Sequence, residues 1–155
     1  MPPSVETVAP PSIPITDQPA LTYVYDAAFQ HLFAWARRGT APPKAARIEL
    51  KEPSEPGAKP TVSLDEYGNA LGGVRTPYVD VPLDTYFVSS TGPGVCGELG
   101  HSMPLEHARV TKLYPDAKAY RSKVAQDTRR LVKEGWLTKS DGRKIESQLD
   151  AEAAH

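Results

Sequence analysis

Cysteine, long apolar runs and a surplus of either charge are all scarce in this 155-residue sequence. Cys96 is the only cysteine, which excludes an intrachain disulfide framework and predicts a reducing, cytoplasmic location. No apolar run is long enough to span a bilayer, and we expect neither a leader nor a membrane anchor. The formal net charge is −1, so bulk charge attracts neither nucleic acid nor anionic membranes.

Large apolar side chains are also few. The chain holds 12 leucines, 12 valines, four isoleucines and three phenylalanines beside 16 prolines and 11 glycines, which is close to the lower edge for packed domains. The length predicts about one domain, with residues 21–155 folded. Residues 1–20 are predicted to form an extended arm, because their prolines remove backbone donors and disfavour helix at the preceding residue.

The first predicted element is a helix over residues 22–38, which Gly39 and the prolines after it should end. Apolar side chains within residues 24–35 and at Ala36 cover about half of its circumference. They are Val24, Tyr25, Ala28, Phe29, Leu32, Phe33, Trp35 and Ala36. Polar residues fill the other arc, and His31 lies at the border between the two. A face this wide predicts a broad apolar surface that covers it.

Residues 46–95 carry only short alternating pieces, at 46–50, 61–64 and 84–88. A buried parallel strand would read as a continuous run of Val, Ile and Leu, and no such run occurs. We predict one small antiparallel β element with irregular connections. The fold class expected for the separate chain is therefore α+β.

Residues 105–150 are predicted to be helical. A short helix should cover 105–114, and a longer one should run from Pro115-Asp116 to Gly135, which fits a helix stop. Ser140 is predicted to cap a terminal helix that carries Ile145 and Leu149, so that the last two helices form a hairpin. The predicted apolar face of the longer helix is Ala117, Tyr120, Val124, Thr128, Leu131 and Val132.

The segment GVCGELGH places Cys96 close to His101, and His107 follows. A nucleophilic cysteine needs a base within hydrogen-bond reach, and either histidine could supply it. A small cysteine in a loop bent by glycines is the interpretation that we favour. These three residues form neither a CxxC nor an HxxxH pair, so a zinc site is not expected.

A serine hydrolase normally carries its nucleophile in a G-x-S-x-G elbow, and no such pentapeptide occurs here. Ser89 and Ser90 precede Gly92 outside that pattern. His31 lies at the border of a predicted helix face, where packing or a place at the solvent edge is its expected role. We therefore predict no catalytic, cofactor-binding or metal-binding residue.

Basic residues are concentrated between Lys118 and Lys144, a stretch that contains nine Lys and Arg but only three Asp and Glu. On the predicted helix they lie opposite the apolar face and lack aromatic residues for base stacking. This pattern favours contact with a protein surface over nucleic-acid binding.

Several motifs in fixed order resemble the C-terminal part of the family of large α/β-hydrolase-domain proteins. They are W-x-x-x-G-T-x-P-P from Trp35, GNALGGVRTPYVDVP from Gly68, Y-P-x-x-x-x-Y from Tyr114 and L-V-x-x-G-W-L from Leu131. The resemblance covers roughly residues 13–149.

The resemblance implies that the nucleophile elbow, its acid and the catalytic histidine lie upstream of the matched segment. No position here corresponds to a triad member, and the first helix is expected to pack on a hydrolase sheet that this chain lacks. Three hypotheses remain: an inactive C-terminal fragment or subunit of an esterase-like protein, an interaction module that docks through residues 24–35, and a small enzyme that uses Cys96 with a histidine. No substrate is indicated.

Overall fold

The computed structural model of the chain describes residues 19–53, 55–88, 90 and 100–153. Within these residues the chain forms five helices and two separate two-stranded antiparallel sheets. The predicted α+β architecture is confirmed. The predicted arm falls outside the described residues up to residue 18, and residue 19 already begins the first helix.

The first helix, α1 (Pro19–Arg38), begins earlier than the predicted Thr22, because proline is tolerated in a first helical turn. Its end agrees with the prediction. Gly39 adopts φ 69°, a left-handed conformation that suits glycine, and its amide donates to the Trp35 carbonyl oxygen at 2.8 Å.

A C-terminal helix pair organises the core, as the sequence predicts. It consists of α4 (Ala117–Glu134) and α5 (Lys139–Glu152). The Asp116 carboxylate caps α4 by accepting a hydrogen bond from the Ala119 amide at 2.7 Å. Gly135 ends α4 with φ 86°, which is the predicted helix stop.

The N-cap of α5 is Thr138, and the prediction of Ser140 was wrong. The Thr138 hydroxyl accepts from the Asp141 amide at 3.1 Å and donates to the Asp141 carboxylate at 2.5 Å. The bond from the Asp141 amide is the N-cap interaction, and the Asp141 carboxylate orients the Thr138 hydroxyl that accepts it. If Ser140 were the N-cap, the residue three positions later would be Arg143, whose side chain has no acceptor for a serine hydroxyl.

The buried core lies between α4, α5 and the segments that pack on them. Six members come from residues 117–152: Tyr120, Val124, Leu131, Leu137, Ile145 and Leu149. They are joined by Tyr23, Tyr78, Val81 and Tyr114. Of the predicted face of α4, Val132 is only half-buried and Ala117 is exposed.

The β structure differs from the single element predicted. One sheet pairs β1 (Leu50–Lys51) with β2 (Thr61–Val62), and the other pairs β3 (Asp84–Phe87) with β4 (His101–Pro104). The strand β4 was missed because HSMP shows no alternation, and only its ladder with β3 makes it a strand.

Two short helices complete the fold, α2 (Pro77–Asp80) and α3 (His107–Leu113), the latter shorter than the predicted 105–114. The chain before α2 bends sharply at Gly72, which has φ 78°. A Cβ there would lie 2.1 Å from the Arg47 carbonyl oxygen. Glycine is therefore required where the two backbone segments meet.

Candidate functional site

The helix α1 is attached to the rest of the chain along one narrow stripe. Tyr23 and Ala27 are buried, and His31 follows one turn later. The Tyr23 hydroxyl donates to Gln148 Oε1 at 3.1 Å. The His31 Nε2 donates to the Gly135 carbonyl oxygen at 2.7 Å. These contacts fix α1 against the ends of α4 and α5, and His31 is half-buried where it makes its contact.

The opposite side of α1 carries a wide apolar surface that no other described residue covers. We call it the aromatic face, and its six large side chains are between 49% and 62% exposed. They are Leu21, Tyr25, Phe29, Leu32, Phe33 and Trp35. Soluble monomers seldom expose an apolar patch of more than a few hundred Å² without a function for it. The aromatic face is therefore the principal candidate interaction surface.

A second apolar surface lies on the β1–β2 sheet and was missed by the sequence analysis. Ile48, Leu50, Val62 and Leu64 are all more than 40% exposed. Because Leu50 pairs with Val62 and the other two lie two residues away, all four share one face of the sheet. Their alternation indicated strands, but only the fold showed that this face is uncovered.

Cys96, the candidate nucleophile, and Ser89 lie outside the described residues. His101 lies on β4, where its Nδ1 is 2.9 Å from the Ser90 hydroxyl and its ring stacks on Phe87 with centroids 4.5 Å apart. A Ser–His hydrogen bond is one part of an activated nucleophile. No carboxylate bonds the His101 ring among the described residues, so the acid that orients such a base is not found there.

His107 begins α3 on the surface, and its Nε2 lies 3.5 Å from the Thr111 hydroxyl of the next turn. In the part of the chain that the structure describes, no group of three or more His, Cys, Asp or Glu side chains could hold a metal ion. No helix of that part is long and apolar enough to cross a membrane.

An ion-pair network joins the GNALGGVRTPYVDVP segment to α4. Arg75 donates to Asp65 at 2.6 Å and to Asp80 at 2.5 Å, and Arg130 of α4 donates to the other Asp80 oxygen at 3.0 Å. Arg130 also bonds Asp127 at 2.5 Å. Desolvation raises the pKa of Asp127, although Arg130 opposes the shift. The network gives this motif a structural role.

The basic residues of 118–144 are partly neutralised within the chain. Arg121 pairs with Asp150 at 2.5 Å, and Lys144 pairs with Asp141 at 2.8 Å. Arg130 belongs to the network above. These partners reduce the positive field that a polyanion would meet.

Buried tyrosines surround the junction of α2, β3 and the C-terminal helices. Tyr78 and Tyr23 both donate to Gln148 Oε1, at 3.0 and 3.1 Å. Desolvation raises the pKa of Tyr78, Tyr86 and Tyr120 far above the ordinary range. These phenols therefore remain neutral at physiological pH. Tyr78 donates to Gln148, whereas the buried Tyr120 hydroxyl has no hydrogen-bond partner among the described residues.

Comparison with known proteins gives one family. A family model described as an alpha/beta hydrolase domain matches residues 3–147. No curated protein and no solved structure matches the chain. The family match spans nearly the whole sequence, including the motifs that build α1, the Arg75 network and the end of α4. This chain belongs to the α/β-hydrolase domain family.

Proposed function

We propose that this chain is a non-catalytic C-terminal portion of an α/β-hydrolase-type protein, acting as a fragment or subunit. It works by presenting the aromatic face of α1 to another protein surface. The observation that carries the proposal is the way α1 is held, by a narrow stripe at Tyr23, Ala27 and His31, while its broader apolar face is exposed.

The absence of a G-x-S-x-G elbow from the sequence supports the non-catalytic part of the proposal. The G-x-S-x-G elbow is absent from the 155 residues, and the described residues form only two-stranded antiparallel sheets. An elbow needs a strand followed by a helix to hold its serine. Ester hydrolysis in such a protein would therefore depend on residues outside this chain.

The energetics of burial support the docking part. Covering one large apolar side chain is worth about 1.5–3 kcal/mol, and the aromatic face offers six that are half-exposed. In α/β proteins, helices pack their apolar stripe on a sheet. A hydrolase core is one surface of the kind that this face fits.

The chemistry of the face favours a protein partner. Its six side chains carry no charge, so it offers no phosphate contacts of the kind that dominate nucleic-acid binding. The cations of α4 lie on another helix, and some of them are paired internally.

Two measurements on the purified chain test the proposal. We expect no hydrolysis of short acyl esters above a buffer blank. We also expect binding of a hydrophobic dye, which should fall when Phe29 and Trp35 are replaced by serine. Turnover that disappears in Cys96→Ala would overturn the non-catalytic assignment and favour a small cysteine enzyme.

Dye binding that is unchanged by the Phe29 and Trp35 substitutions would overturn the docking assignment. A matched control is Ile48→Ser with Leu50→Ser, which removes exposed apolar surface from the β1–β2 sheet. It separates the contribution of the aromatic face from that of the second apolar surface.

A further inference from the structure

We propose that the N-terminal segment of this chain, residues 1–18, covers the centre of the aromatic face, with residues 5–14 running antiparallel to α1 as a polyproline II helix. The inference rests on the proposed function, because it names what occupies the docking surface assigned there until a partner protein replaces it. Three observations support it: an apolar repeat in the N-terminal segment, the length of that segment, and the point at which it joins α1.

The N-terminal segment precedes the described part of the chain, and apolar residues recur at every third position of it. They are Pro2, Val5, Val8, Pro11 and Pro14. A polyproline II helix has three residues per turn, so these side chains form one apolar ridge in that conformation. The other two rows carry polar residues. Glu6 and Ser12 lie in one row, and Ser4 and Thr7 lie in the other.

The composition of the N-terminal segment lowers the cost of ordering it. Five of its first 14 residues are proline, and the proline ring holds φ close to the polyproline II value. Little conformational entropy is therefore lost when such a segment docks. Proline-rich segments in this conformation bind surfaces lined by aromatic side chains. The aromatic face offers four aromatic side chains, each more than half exposed: Tyr25, Phe29, Phe33 and Trp35.

The N-terminal segment is long enough to follow α1. The helix has 20 residues, which span about 30 Å. A polyproline II helix rises about 3.1 Å per residue, so residues 5–14 span about 28 Å. Residues 15–18 remain for the reversal into α1, and a β-turn needs no more residues than these.

The point of attachment directs the N-terminal segment to the centre of the face. The helix α1 begins at Pro19, and Leu21 lies in its first turn. Leu21, Tyr25 and Leu32 all project within about 20° of one line along the helix, since successive residues rotate by about 100°. A chain that reverses direction immediately before Pro19 meets this line at Leu21.

A register follows from the two helical repeats. Three residues of the N-terminal segment advance about 9 Å, which equals about six residues of α1. With Pro14 at the level of Leu21, the next ridge residue, Pro11, lies near Ala28. Ala28 is exposed, and its small side chain leaves space for a proline ring, as close packing requires.

A single extended chain leaves the edges of the aromatic face open. Phe33 and Trp35 project about 100° and 60° to opposite sides of Leu32, away from the line that the ridge follows. A hydrophobic dye or a partner protein therefore still has access to the face. The partner gains the centre of the face by displacing the N-terminal segment.

Nuclear magnetic resonance of the full 155-residue chain tests the contact. Val8 lies one repeat beyond Pro11, near Leu32. Its methyl protons should show Overhauser contacts with the ring of Phe29 or Phe33. Val8→Asp places a charge on the ridge, and burial of that charge is unfavourable. This variant should release the N-terminal segment and raise dye binding about twofold, because the centre of the face becomes accessible.

Thr7→Asp is the matched control. It introduces the same charge at the neighbouring residue, whose side chain has nearly the shape of valine but lies in a polar row of the N-terminal segment. The Val8 contacts and the dye binding should both stay as they are in the unmodified chain.

A second pair of variants locates the contact on the folded part of the chain. Leu32→Ser should remove the contacts of the Val8 methyl groups, whereas Leu50→Ser, on the second apolar surface, should leave them. Both leucines are more than half exposed, so loss of folding is not expected, and circular dichroism shows whether each variant keeps its helices.

Three results would overturn the contact. One is the absence of Overhauser contacts between Val8 and an aromatic ring of α1, and another is an equal rise in dye binding in Val8→Asp and Thr7→Asp. The third is a loss of the Val8 contacts in Leu50→Ser but not in Leu32→Ser, which would place the N-terminal segment on the second apolar surface.

These results are distinguishable from a failure of the proposed function. Without the Val8 contacts, a chain that binds dye through Phe29 and Trp35 keeps its docking surface for another protein. Dye binding that is unchanged by the Phe29 and Trp35 substitutions overturns the docking surface itself, whether or not the Val8 contacts are present.

Discussion

His31 Nε2 donates a hydrogen bond to the Gly135 carbonyl oxygen at 2.7 Å, which joins the middle of α1 to the end of α4. Gly135 is in the left-handed conformation, with φ 86°, and a Cβ on it would lie 3.0 Å from His31 Nε2. Gly135 thus both ends α4 and accepts the hydrogen bond from α1.

Replacing Gly135 by alanine should therefore destabilise the fold by about 1–2 kcal/mol for the left-handed backbone, with an added cost because His31 must move. Gly39→Ala is the control, since its φ is 69° and nothing lies within 4 Å of its Cβ. Urea denaturation gives both values. Equal losses at the two glycines would mean that the His31 contact contributes nothing.

Gln148 links α1 and α2 to α5, because its side-chain oxygen accepts from both Tyr23 and Tyr78. Tyr23→Phe should cost about 1 kcal/mol for one lost hydrogen bond. Gln148→Leu should cost about 2 kcal/mol, since it removes the acceptor of two part-buried hydrogen bonds. Thermal denaturation of both variants checks the order. A smaller loss in Gln148→Leu than in Tyr23→Phe would contradict the shared-acceptor interpretation.

Arg75 should tolerate lysine poorly. Its guanidinium contacts Asp65, Asp80 and the Ala70 carbonyl oxygen, and its side chain is only 18% exposed. A lysine ammonium cannot reproduce the planar arrangement of N–H donors of the guanidinium. Arg75→Lys should therefore cost about 2–3 kcal/mol. Arg121→Lys, at the exposed pair with Asp150, is the control and should cost less than about 0.5 kcal/mol. Similar losses at both sites would show that the Arg75 network adds no stability.

Asp141 and Asp84 should affect the pH dependence of stability with opposite signs. Although desolvation opposes the shift, hydrogen bonds from Lys144 and Thr138 lower the pKa of Asp141. Its stabilisation is therefore present above the unfolded pKa, near 3.9, and is lost as the pH falls through the folded pKa. Desolvation raises the pKa of Asp84. Its ionisation therefore reduces stability as the pH rises from the unfolded pKa to the folded pKa of this residue.

Asp141→Asn should accordingly lose most stability at neutral pH and approach the unmodified chain in acid. Asp84→Asn should gain stability at neutral pH, and the gain should vanish on acidification. Urea denaturation across the acid-to-neutral range measures both slopes. Slopes of the same sign in the two variants would contradict these assignments.

Phe29→Ser combined with Trp35→Ser should change the melting temperature little, because both side chains are already more than half exposed. Tyr23→Ser, which opens the buried stripe of the same helix, should cost about 3 kcal/mol or more. Calorimetry of the two variants shows which side of α1 contributes to the stability of the core. Loss of the cooperative transition in the double variant would mean that the aromatic face belongs to the core.

Much of the local structure is predictable from the sequence, because the interactions that form it join residues at most four apart. The caps at Asp116 and Gly135 are of this kind, and so are the stop at Gly39 and the spacing of Tyr120, Val124, Thr128 and Leu131 on α4. The missing G-x-S-x-G elbow is likewise a property of the sequence alone. Even the error at Ser140 was local, since Thr138 has the better partner in Asp141.

The tertiary structure alone decided which surfaces are covered. The periodicity of α1 indicates a wide apolar face. It does not reveal that the narrower stripe at Tyr23 and His31 is the side that contacts α5 and the end of α4. Contacts with Gln148 and Gly135, more than a hundred residues away, determine that choice. The strand β4 and the Arg75 network also depend on distant partners. The free energy of burial depends on what lies opposite a side chain, and hydrophobic periodicity within one segment carries no information about that partner.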